Sequence, residues 1–223
     1  MGCVSYYLYG SSARSDETVG SDLDVLVVCT DPKAVDRNKL DHDIEGRSNH
    51  GPIDFSIYGI SRLEEMYKTG HLFAWHLYKE SSYLKGGDDL LAKLGQPAAY
   101  DSFREDILSL YELLGSVRDQ IYISPNNLVY EAGIAFICAR NIAMAASYSQ
   151  ADGPCFSAYA PFLLECNIEF PLSKLEYELL RQARHSGTRG FKAPVICSTN
   201  IIVIIRKLEG WAKRVIDTMG KVQ

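Results

Sequence analysis

The sequence predicts an α/β chain of the α+β kind in two parts, a small sheet domain over residues 1–100 and an all-helical bundle over residues 101–223. Two observations carry this. Short apolar runs broken by Gly and Pro recur up to about residue 60, the mark of strands and turns. Beyond residue 100, apolar residues recur three and four apart behind Ser-x-x-Glu starts, the mark of capped amphipathic helices.

Size and composition set bounds on function. A chain of 223 residues can build one large or two small cores. Its 47% hydrophobic and 23% charged residues are those of an ordinary globular protein. The net charge of −5 gives no general electrostatic footprint for nucleic acid, so nucleic acid is not expected as a partner, and it mildly favours a cationic substrate. The six cysteines (Cys3, Cys29, Cys138, Cys155, Cys166, Cys197) show no C-x-x-C spacing and are expected to be reduced thiols in a cytoplasmic protein. No basic segment with a cleavage site precedes the first strand, so no signal peptide is expected. The start Met1-Gly2-Cys3-Val4-Ser5 lacks a lipidation signal, because Tyr6 stands where that motif needs Ser or Thr. The runs Ile201 to Ile205 and Ile134 to Cys138 are too short to span a bilayer, so no membrane association is expected.

The first strand carries Val4, Tyr6 and Leu8 and ends at the turn Gly10-Ser11. A polar loop leads to a second strand, where Asp22 and Asp24 alternate with Leu23 and Val25. Residues two apart on a strand share a face, so the two aspartates project together while their neighbours enter the core. Ala34 to Glu45 reads as a polar helix and residues 46–51 as a loop, with His42 and His50 as surface residues. A third strand, Pro52 to Tyr58, brings Asp54 and Ser56 to one face.

Carboxylates in this arrangement suit a hard octahedral cation, Mg2+, which takes its remaining ligands from water and substrate phosphates. Three acids on adjacent strands can hold two such ions. The Gly10-Ser11 turn allows backbone amides to approach phosphate oxygens, and Ser11 adds a hydroxyl.

Downstream, Ser61-Arg62-Leu63-Glu64 is a capping box opening a helix that Gly70 ends or interrupts. His71 to Glu80 carries Leu72, Trp75, His76 and Lys79 at helical spacing, an aromatic core stripe rather than a base-stacking platform. Ser82 to Leu84 adds a strand, and Gln96 to Ala99 is a connector. In the bundle, a second capping box starts at Ser102, and Ser124-Pro125 starts a central helix running to about Tyr148, apolar almost all round. A third box at Ser173 leads a helix to about His185, and a last amphipathic helix carries Ile201 to Met219.

Gly10-Ser11, ten intervening residues, Asp22-Leu23-Asp24 and then Ile53-Asp54-Phe55 together resemble the signature of the DNA polymerase beta-like nucleotidyltransferases. The motif Gly10-Ser11-Ser12-Ala13-Arg14 is most similar to the small bacterial members, the kanamycin-type enzymes and the minimal nucleotidyltransferase antitoxins, although Ser15 stands where relatives often carry Gly. The resemblance covers residues 6 to 58. It implies a small mixed-sheet nucleotidyltransferase domain followed by a HEPN-like, substrate-binding bundle. It further implies Mg2+, as one or two ions, on Asp22, Asp24 and Asp54, with the phosphates of an NTP, ATP first, against Gly10, Ser11 and Arg14. The implied reaction moves NMP onto a hydroxyl of a small acceptor such as an aminoglycoside, with antibiotic resistance as its biological meaning. The alternatives are an antitoxin-type adenylyltransferase acting on a partner protein and a nucleotide-binding regulator without turnover.

Relatives place a helix before the first strand. Its absence here leaves one sheet face to be covered by the C-terminal region or by a second subunit, which makes a homodimer an expected form. Kanamycin-type enzymes take a general base from the helical domain, and Val129-Tyr130-Glu131-Ala132 ahead of Ala139-Arg140-Asn141 makes Glu131 the candidate by resemblance. Arg140-Asn141 also resembles the first half of the HEPN nuclease motif, but no histidine follows within reach. Ribonuclease activity is therefore not expected.

Overall fold

A computed structural model describes residues 5–14, 23–37, 39–40, 53–165 and 168–219. The chain divides into two compact units, residues 1–101 and 102–223.

The first unit is built on four strands: β1 (Ser5–Leu8), β2 (Leu23–Cys29), β3 (Ile53–Gly59) and β4 (Ser82–Gly86). Their order across the sheet is β3-β2-β1-β4, with β2 and β3 parallel and β1 antiparallel to both β2 and β4. The sheet is therefore mixed. A one-turn helix α1 (Ser11–Arg14) follows β1, and the unit also carries helices α2 (Ile60–Lys68), α3 (Leu72–Glu80) and α4 (Leu90–Leu94), with a 3-10 turn at Pro32–Ala34.

Strand alternation sorts the side chains into two cores. Tyr6, Leu8, Leu23, Val25 and Val27 pack with Leu40 on one side. Tyr7, Tyr9, Leu26 and Val28 pack on the other with Leu63, Met66 and Tyr67 of α2, Ala74 and Leu77 of α3 and Leu91 of α4. Asp24 shares the parity of Leu26 and Val28, so its carboxylate emerges at the end of the helix-covered face. The turn between α2 and α3 is held tightly against the connector. Gly70 has φ +65, and a Cβ there would lie 1.9 Å from the carbonyl oxygen of Ala99, so only glycine fits. Trp75 Nε1 donates to Ala98 O at 3.0 Å.

The second unit contains α5 (Phe103–Ile123), α6 (Leu128–Ala146), the short α7 (Ala160–Leu163), α8 (Lys174–Arg189) and α9 (Ser198–Met219). Helix α6 is its centre, packed by α5, α7, α8 and α9. Small residues on α6, Ala132, Gly133, Ala135, Ala139 and Ala143, are buried there, which permits close helix approach. Phe136 lies 5.2 Å from Tyr177, and Phe170 lies 5.1 Å from Trp211, ring centre to ring centre.

Several sequence expectations change. The helical stretch Pro125–Ser149 is long and apolar enough, by length and composition, to cross a membrane. Run length alone does not show this, because Ala and Cys between the bulky residues keep the average high without a long run of large apolar side chains. In the bundle this stretch is the buried central element. Of the three capping boxes only Ser173 forms one: its Oγ accepts from Glu176 N at 3.2 Å, and Glu176 Oε2 accepts from Ser173 N at 2.8 Å. Helix α2 instead starts directly out of β3 with Gly59 as cap, which places Ser61 inside the first turn. Ser102 has φ −80 and ψ 8 and makes no side-chain cap, because a cap hydroxyl reaches forward only from an extended backbone. The central helix begins at Leu128, after a 3-10 turn over Pro125–Asn127. Half of the expected polar helix from Ala34 to Glu45 lies outside the described residues.

Candidate active site

In the parallel ladder of β2 and β3, Asp24 stands directly beside Asp54, and Leu26 beside Ser56. Adjacent strands lie about 4.8 Å apart and paired residues share a face, so the two carboxylates are neighbours. Asp24 is half-buried and Asp54, on the edge strand, is exposed. Asp22 lies outside the described residues.

Gly10 closes the site from β1. It has φ +73, and a Cβ built on it would lie 2.6 Å from Asp24 Oδ2. A side chain here would displace the carboxylate, so the glycine is needed for Asp24 itself as well as for backbone approach to a ligand. Tyr9 N donates to Asp24 O at 3.2 Å, which ties the turn to β2. Ser11 opens α1, where Ala13 N and Arg14 N both donate to Gly10 O.

The Tyr9 side chain lies beneath the acids. Its hydroxyl is 2.8 Å from Ser56 Oγ. Burial pushes the Tyr9 phenol up to about 12; the Asp24 and Asp54 charges add to the rise and the Ser56 hydrogen bond opposes it. Its ring meets His76 and Phe73 edge-on at 5.6 and 5.7 Å between centres. His76 Nε2 lies 3.1 Å from Glu80 Oε2, one turn further along α3. The same oxygen pairs with the Arg14 guanidinium. From sequence alone His76 belongs to a core stripe, and Tyr9 and Glu80 carry no role. The spacing of His76 and Glu80, four apart on one helix face, was the only signal available for the pair.

Among the described residues no group of three or more His, Cys, Asp and Glu side chains forms a metal cluster. The two acids of β2 and β3 nevertheless fit a hard divalent cation that completes its shell with water and phosphate oxygens. Glu131 belongs to the second unit, in the first turn of α6, only 7% exposed. Burial raises its carboxyl above the usual range. Arg140, on the same helix, donates from Nε to Asn141 Oδ1 at 3.2 Å and lies over the Phe136 ring.

Known proteins resemble this chain in two ways. Residues 4–85 match the nucleotidyltransferase domain family model. No curated protein matches the sequence. Among the solved structures that resemble the chain is spectinomycin adenyltransferase AAD(9) from Enterococcus faecialis, crystallised with ATP and spectinomycin. It is 16% identical, the match covers 95% of this chain and 92% of that one, and the TM-score is 0.52, a likeness of fold. The match to the nucleotidyltransferase domain model spans β1 to β3, reaches into β4, and takes in the acids Asp24 and Asp54 of the N-terminal unit.

Proposed function

We propose that the enzyme transfers NMP from an NTP, ATP in the first place, to a hydroxyl of a small acceptor such as an aminoglycoside, releasing pyrophosphate. The observation that carries this reading is the pairing of Asp24 with Asp54 beside a glycine that admits no side chain. Asp24 and Asp54, with Asp22, are the residues to hold Mg2+, which when bound neutralises charge on the phosphate oxygens and on the attacking and leaving oxygens. The Gly10-Ser11 turn offers backbone and hydroxyl groups to the phosphates, and Arg14 adds a cation at the end of α1. Asp54, the exposed member of the pair, is assigned either to a second metal ion or to the proton of the attacking hydroxyl. The helical unit is assigned to acceptor binding, in keeping with a fold-mate crystallised with ATP and spectinomycin.

The test is pyrophosphate release from each NTP with Mg2+, against a panel of aminoglycosides and related hydroxylated compounds. Release that depends on one compound and is lost in Asp24→Asn supports the reading. Nucleotide binding with no release across the panel defeats the small-molecule acceptor and turns the search to a protein acceptor.

A further inference from the structure

We propose that Glu80 is a positioning residue for nucleotide binding, holding the Arg14 guanidinium beside the Gly10-Ser11 turn; the proposal rests on the nucleotidyltransferase reading of that turn. Glu80 is the last residue of α3, and its side chain is only 12% exposed. A carboxylate there is unfavourable on two counts. The C-terminal end of a helix carries partial negative charge, and burial costs a charged group its hydration. Neither α3 nor its packing therefore explains why this position is acidic. The partners do.

One oxygen, Oε2, meets both Arg14 and His76, whose own side chains are 21% and 19% exposed. Arg14 closes the single turn of α1 that Gly10 begins, through donation of its backbone N–H to Gly10 O. His76 packs edge-on against Tyr9, the residue before Gly10. Both contacts of Glu80 thus lead back to the two sides of the same turn. Helix α3 fixes where the arginine stands, and the charge-assisted pair holds a long, otherwise rotatable side chain in one place before the nucleotide arrives.

The test is a double-mutant cycle on the full chain, read as ATP affinity by calorimetric titration with Mg2+. Glu80→Ala should weaken ATP about tenfold and Arg14→Ala at least as much, and the double variant should bind no more weakly than Arg14→Ala alone, since coupled residues do not add. Melting temperatures measured beside each titration show whether a variant is folded. If Glu80→Ala does not fold, Glu80→Gln, of the same shape, takes its place in the cycle. Unchanged ATP affinity in the Glu80 variant, or losses that add in the double variant, would overturn the proposal while leaving the functional reading intact. A wild-type chain that binds no ATP would overturn both.

Discussion

Asp54 stands exposed on the edge strand of the sheet beside half-buried Asp24, whereas Glu131 is 7% exposed in the first turn of the bundle's central helix. The difference lies in how each architecture handles charge. On a strand, alternation sends Leu23 and Val25 into one core while Asp24 leaves on the other face, so an acid can sit on rigid backbone and still face a ligand. Helix α6 is apolar nearly all round, and an acid on it is enclosed. The N-terminal turn of a helix favours a negative charge, yet burial prevails and Glu131 is pushed up. Open paired acids suit holding a cation. A shut-in acid suits holding a proton.

Four perturbations test this contrast. Asp24→Asn should reduce transfer about a thousandfold, as removal of a charge-stabilising group does, with the melting temperature almost unchanged because the residue is half-buried. Steady-state rates beside a thermal melt check it. Gly10→Ala should cost about 1–2 kcal/mol from the positive φ alone and also push aside the Asp24 carboxylate. Activity should fall about a hundredfold, the scale of a misplaced catalytic group, and ATP titration with Mg2+ should show weaker binding.

Glu131→Gln should raise the melting temperature at pH values above the raised Glu131 value, where burial penalises the ionised wild-type carboxylate. A carboxyl whose folded value is raised gains stability as pH falls from that raised value toward the ordinary range near 4.5. The advantage of the Gln variant should therefore shrink over that window; a gap independent of pH would show that the burial of charge is not its source. Smallest is Ser173→Ala, which removes the one capping box that forms. It should cost about 1 kcal/mol and lower the melting temperature by about 3 °C, with ATP affinity unchanged.

The sequence made the sheet and its acids visible because a strand's period of two leaves little freedom: once Leu23 and Val25 face the core, Asp24 faces away. It could not show that Gly10 abuts Asp24, since that contact depends on how β1 turns out of the sheet. Nor could it show the Arg14–Glu80 pair, whose partners are separated by 66 positions. The capping boxes illustrate a related limit. Ser61, Ser102 and Ser173 carry the same local pattern, but only Ser173 has the extended backbone, φ −64 and ψ 158, that aims its hydroxyl at the helix. Gly59 takes the cap from Ser61 because β3 runs straight into α2. Tertiary placement, which no local pattern encodes, decided each case.

The central claim is that the chain moves a nucleotidyl group, and isotopic labelling tests it most directly. The enzyme would be incubated with Mg2+, the acceptor that supports pyrophosphate release, and ATP labelled on either the α or the γ phosphate. The account requires the α label to appear on the acceptor and the γ label in pyrophosphate, with both signals lost in Asp24→Asn. A γ label on the acceptor, or an α label transferred undiminished by Asp24→Asn, would contradict it.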